Sequence, residues 1–89
     1  MSEDMKSAHV ELYNAILKLE TIEDCELFLR DLCTIKELDS MAQRVCSAKL
    51  LLDGETYESI IKKTDISSAT LSRVSRCVKY GEGYKKILK

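Results

Sequence analysis

An all-α protein of six helices is predicted, and three observations predict it. The 89 residues include no proline and only three glycines, so the turn chemistry of a β fold is missing. Apolar residues recur at helical rather than alternating spacing. A Ser or Thr that can cap a helix precedes several of these apolar stretches. At 45% hydrophobic the composition also argues against disorder. A chain of this size forms one domain and buries only about 60% of its unfolded surface, so burial against a partner subunit would help it.

The first helix is expected from about Lys6 to Glu20. Leu12, Ile16 and Leu19 make one stripe, and Val10, Tyr13 and Leu17 another beside it. The combined face is wider than a helix lying on one side of a small core requires, which points to contact with another chain. Thr21 with Asp24 starts the second helix, whose apolar set is Cys25, Phe28, Leu29 and Leu32. Thr34-Ile35-Lys36-Glu37 is a T-x-x-E capping box and opens the third. That helix carries Leu38, Met41, Ala42, Val45 and Leu52, flanked by Cys46 and Leu50, and stops at Asp53-Gly54, where glycine accepts a left-handed C-cap.

Two short helices joined by a tight turn follow between Glu55 and Val78. Thr56 caps the first, which buries Ile60 and Ile61, and the turn is expected at Lys63-Thr64-Asp65. Ser67 caps the second, with Ile66 and Leu71 in the two positions of a hydrophobic staple. Leu71, Val74 and Val78 then share one face, leaving Thr70, Ser72, Arg73 and Arg76 outward. Such a pattern is that of a helix-turn-helix, in which one helix braces and the next lies in the DNA major groove. A plain helical hairpin with a solvated charged face would look the same locally. Tyr80-Gly81-Glu82-Gly83 breaks the chain, and Tyr84 to Lys89 adds a last short helix.

The net charge of −1 conceals an asymmetry. Residues 1–40 hold ten acids against four bases, and residues 41–89 hold ten bases against five acids. A basic second half beside an acidic first half suits a DNA-reading unit joined to an assembly unit. Uneven surface charge is the plainer account. No apolar run is long enough to span a membrane, and the N-terminus MSEDMK lacks the basic start and apolar core of a signal peptide, so a cytoplasmic protein is expected. Cys25, Cys33, Cys46 and Cys77 contain no CxxC pair and His9 is remote from them, so neither a zinc site nor a disulfide frame is expected, and the thiols are read as small buried hydrophobes. No glycine-rich phosphate loop is present, no Ser or Cys has a histidine near it, and Glu23 and Asp24 sit at a helix start where the macrodipole accounts for them. An enzyme is not expected.

From Asp31 to Lys79 the order of motifs resembles the Trp repressor superfamily, and the whole chain is similar to its small bacterial YerC/YecD-type branch. The resemblance rests on Leu32-Cys33-Thr34, Gln43-Arg44-Val45, Leu50-Leu51-Leu52-Asp53-Gly54-Glu55 and Ser68-Ala69-Thr70-Leu71-Ser72-Arg73. It implies a six-helix fold assembled as an interlocked homodimer, and sequence-specific binding of double-stranded DNA with transcriptional repression. On this reading residues 1–89 are a single domain: dimerisation helices over 1–54, the helix-turn-helix over 55–80 and a short helix over 81–89. In the tryptophan-binding members the ligand lies between two arginines and a threonine, which match Arg44, Arg73 and Thr34. Next to the second arginine those members have glycine, where this chain has Val74, and Cys77 stands where they have serine. The added isopropyl group removes space, and overpacking a fitted site costs about 1–3 kcal/mol. The plainer account of Arg44 and Arg73 is phosphate contact or simple solvation, and no cofactor is expected. If a small-molecule corepressor exists, tryptophan is a poor candidate for it.

The DNA surface expected from the residues comprises Ser67, Ser68, Ala69 and Thr70 at the start of the reading helix and Ser72, Arg73 and Arg76 along it. Lys62, Lys63 and Lys79 add attraction to the phosphate backbone. The alternative is a helical interaction module that keeps the architecture without binding DNA, an alternative sustained by the near-neutral total charge. Operator sequence, regulated genes, effector identity and the choice between repression and activation are not written in the chain.

Overall fold

The computed structural model describes residues 2–89 and consists of α1 (Glu3–Leu17), α2 (Ile22–Leu32), α3 (Ile35–Leu52), α4 (Tyr57–Thr64), α5 (Ser68–Tyr80) and α6 (Gly83–Leu88). The six-helix, all-α expectation is met. The chain groups into two units, one ending at Thr34 and one running Ile35–Lys89.

In the first unit each helix begins at a side-chain cap. The Met5 N–H donates to Ser2 Oγ (3.2 Å), with Glu3 and Asp4 in the first turn, where the helix dipole favours acids. Hence α1 begins and ends three residues earlier than the apolar periodicity alone suggested. Asp24 N–H donates to Thr21 Oγ1 (3.0 Å), while the Asp24 carboxylate accepts from the Glu20 N–H (3.2 Å). This reciprocal pair is a capping box that reaches one residue further back. Among the described residues, neither helix has a buried side chain. Leu17 is 79% exposed, and Val10, Tyr13, Ile16, Leu27 and Leu32 are exposed as well.

The second unit holds the core. Ala48, Ile60, Ile66, Leu71, Val74 and Val78 form one buried cluster, against which Leu50, Leu51, Leu52, Ile61, Tyr84 and Leu88 pack. Helix α3 packs against α4, α5 and α6. Its buried residues are Ser47 and Ala48, whereas Ala42 and Val45 of the expected apolar set are exposed and Leu38 and Met41 only half-buried. Small side chains at the crossing let α4 and α5 approach closely, so the seam follows packing and not hydrophobicity. Gly54 ends α3 with φ +89°, the left-handed cap expected of it. The cysteines depart from expectation. Cys25 and Cys33 are half-buried, and Cys46 and Cys77 are exposed free thiols.

Candidate nucleic-acid interface

Two short helices and a three-residue turn position the candidate site, and each joint has an identifiable cause. Thr56 caps α4 by accepting from the Ser59 N–H (3.2 Å). The turn is Asp65-Ile66-Ser67, two residues later than expected, because Lys63 and Thr64 still belong to α4. Asp65 adopts the left-handed conformation (φ 60°, ψ 20°), which an Asp side chain tolerates better than most, and its N–H closes on the Ile61 carbonyl at 2.9 Å. Ser67 then caps α5, accepting from the Thr70 N–H (3.2 Å) and donating to Thr70 Oγ1 (2.9 Å). Ile66 is 1% exposed and Leu71 fully buried, as a hydrophobic staple requires.

Thr64 ties this turn to α3. Its hydroxyl donates to the Ile60 carbonyl (2.8 Å) and accepts from the Ile66 N–H (3.3 Å) and from Ser47 Oγ (3.4 Å). Its carbonyl accepts from Gln43 Nε2 (3.0 Å). The sequence reading missed this hub. A Gln and a Ser one turn apart on α3 are signals only once α4 is known to lie beside them.

Helix α5 rests on the core through Leu71, Val74, Ser75 and Val78. Ser68, Ala69, Ser72, Arg73, Arg76 and Lys79 are exposed on its other sides, Thr70 is half-buried, and Ser67 is exposed at its cap. The first N–H groups of a helix have no intrahelical partner, so Ser68 and Ala69 present donors at the open end. Arg73, Arg76, Cys77, Tyr80 and Gly81 line a shallow groove of about 380 Å³ along the helix. Tyr80, 83% exposed, was not anticipated on this face. On α4, Lys62 is exposed. Lys63 instead donates to Glu55 Oε1 at 2.7 Å, and Ser59 Oγ donates to the same oxygen at 2.7 Å. The Lys63 and Ser59 hydrogen bonds hold the Glu55 carboxyl below the usual carboxylate range.

Four of the five residues expected at an effector cleft come together. Arg44, Arg73, Val74 and Cys77, with Ser40, Thr70 and Tyr84, line a cleft of about 290 Å³ between α3, α5 and α6. Arg44 donates to Ser40 Oγ (3.3 Å). Val74 is not a free wall: it is 2% exposed and belongs to the core cluster. The fifth residue, Thr34, ends the first unit. Among the described residues no cluster of His, Cys, Asp and Glu could hold a metal ion, and no helix is long and apolar enough to cross a membrane.

Comparison with known proteins places this architecture. The profile of the Trp repressor protein family matches residues 8–89. The YerC protein of Bacillus subtilis (strain 168), itself uncharacterised, is 49% identical over 71 residues, covering 80% of this chain and 68% of its own. A crystal structure of a candidate Trp repressor from Staphylococcus aureus is 40% identical with TM-score 0.89, covering 99% of this chain and 92% of that one. A TrpR-like protein from Eubacterium eligens is 41% identical with TM-score 0.87, over 91% of this chain and 84% of that one. The chain belongs to the Trp repressor family, a regulatory family of DNA-binding proteins rather than of enzymes.

Proposed function

We propose that this chain is a sequence-specific transcriptional repressor that acts as a homodimer on a near-palindromic DNA site. The observation that carries the reading is α5: capped by Ser67, seated by Leu71, Val74 and Val78, and exposing Arg73 and Arg76 beyond a turn locked by Thr64. A helix held so firmly on one side can enter a major groove with its other side. Ser67, Ser68, Ala69, Thr70 and Ser72 would meet phosphates and groove edges, and Arg73 and Arg76 base edges. Lys62 and Lys79 would attract the backbone. Lys63 would do so only by leaving Glu55 or sharing it.

The homodimer is supported by the first unit. Its two helices leave Val10, Tyr13, Ile16, Leu17, Leu27 and Leu32 exposed, far more apolar surface than a lone pair of helices in water sustains. Two reading helices related by a twofold axis would meet half-sites about one helical turn apart. A repressor of this kind acts where the DNA lies, in the bacterial cytoplasm. Tryptophan is not proposed as its corepressor, since Val74 is committed to the core and removes the space an indole would use.

Genomic fragments retained by the purified protein, with and without a metabolite pool, should share one near-palindromic sequence. If no duplex is retained even at low salt, the chain is instead a helical interaction module.

A further inference from the structure

We infer that α6 is a built-in brace, through which Tyr84 holds the reading helix in its DNA-binding position without any small-molecule corepressor. The inference rests on the DNA-binding reading and concerns how that site is regulated.

Three separate features hold α6 against α5. The first is covalent geometry: a Cβ at Gly81 would lie 2.7 Å from the Cys77 carbonyl oxygen, so the chain leaves α5 along a path with no room for a side chain. The second is polar. Lys85 Nζ donates to the Lys79 carbonyl (3.0 Å), one of the last carbonyls of α5 that lack a partner within the helix. The third is packing, in which Tyr84 and Leu88 lie on the core cluster containing Val74 and Val78, the residues that seat α5. Each feature acts on the C-terminal half of the reading helix, which the Ser67 cap and Thr64 hub do not reach.

Tyr84 also borders the cleft between α3 and α5. It lines the cleft together with Arg44, Arg73, Val74 and Cys77, around a space of about 290 Å³. A ligand that merely replaces a brace the chain already has cannot shift the position of α5 by much, because a shift requires differential affinity for two states. On this reading the contacts of α6, rather than a bound ligand, hold α5 in position for its operator.

The test uses full-length protein unfolded in guanidinium, freed of small molecules by dialysis and refolded, with fluorescence anisotropy on the selected duplex. Stripped wild-type protein should bind as tightly as untreated protein, and a dialysable metabolite extract should change nothing. Tyr84→Ala should lose about tenfold in affinity, the loss expected if only about a tenth of the molecules hold α5 correctly. Phenol, which matches the deleted ring, should restore Tyr84→Ala and leave the wild type unaffected, and Tyr84→Phe should bind normally. Lys85→Ala, altered at an exposed side chain, should bind more weakly than wild type even if Tyr84→Ala does not fold. Stripped wild type that binds only after extract is added would overturn the brace while sparing the DNA-binding reading. A folded, dimeric Tyr84→Ala that binds as tightly as wild type would overturn it equally. Failure of every duplex under every condition would bring down both.

Discussion

The two units of this chain use the same local chemistry and reach opposite ends. Helices α1 and α2 have caps as good as those of α4 and α5: Ser2 and Thr21 accept from Met5 and Asp24 much as Thr56 and Ser67 accept from Ser59 and Thr70. Yet α4 and α5 bury five side chains and, among the described residues, α1 and α2 bury none. Caps decide where a helix begins, not whether it has something to pack on. Isolated helices shorter than about 12–15 residues are marginal in water, so the first unit's 11- and 15-residue helices need an apolar surface from outside themselves. The second unit supplies its own.

The largest expected effect breaks that contrast in the second unit. Ile60 is fully buried, and Ile60→Ala should cost about 2–5 kcal/mol in urea unfolding, through lost burial and the cavity left behind. Leu17→Asp probes the other side. Leu17 is 79% exposed in the single chain, so a charge there should leave the second unit folded and abolish association. Sedimentation should then show a monomer, and an unfolding midpoint that rises with concentration in the wild type should lose that dependence. Wild-type protein that is monomeric at micromolar concentration, with concentration-independent unfolding, would remove the contrast altogether.

Arg76→Ala should cost about 1–3 kcal/mol in DNA binding and relax preference at one base pair. Lys62→Ala should weaken all sequences alike and reduce the salt slope by about one. Anisotropy on single-base variants at several salt concentrations separates the two behaviours, and an Arg76→Ala protein with unchanged affinity and preference would move the reading face elsewhere. Ser67→Ala should destabilise by about 1 kcal/mol, within the range for lost N-caps. Most of the loss should appear as faster hydrogen exchange at the start of α5.

The smallest effect concerns acid. The pKa of Glu55 is lowered in the folded chain, so its contribution is fully present at neutral pH and is lost as pH falls through the folded-state value. Glu55→Gln should therefore flatten the acid side of the stability profile and leave the neutral-to-alkaline side parallel to wild type. A variant whose acid limb keeps its full slope would show that the Lys63–Glu55 pair is not coupled to folding.

What the sequence determined by itself was whatever lies within a few residues along the chain. A cap and the N–H that donates to it are three residues apart, a staple five, a helix face three or four, so Thr21, Thr56, Ser67 and the Leu71–Val74–Val78 face were all legible. The start of α1 was misplaced although Ser2, Glu3 and Asp4 mark it, because apolar periodicity was followed instead of the cap. Tertiary structure decided the rest. Ser47 and Ala48, not Met41 and Val45, form the α3 seam, because a helix crossing selects for small volume, and volume matters only once a neighbour's position is known. Thr64 acquires its role from Gln43 and Ser47, 21 and 17 residues away. Tyr84 becomes a cleft wall only because Gly81 lets the chain fold back onto α5. Contacts between distant residues depend on how helices are arranged in space, and no spacing rule along one chain encodes that arrangement.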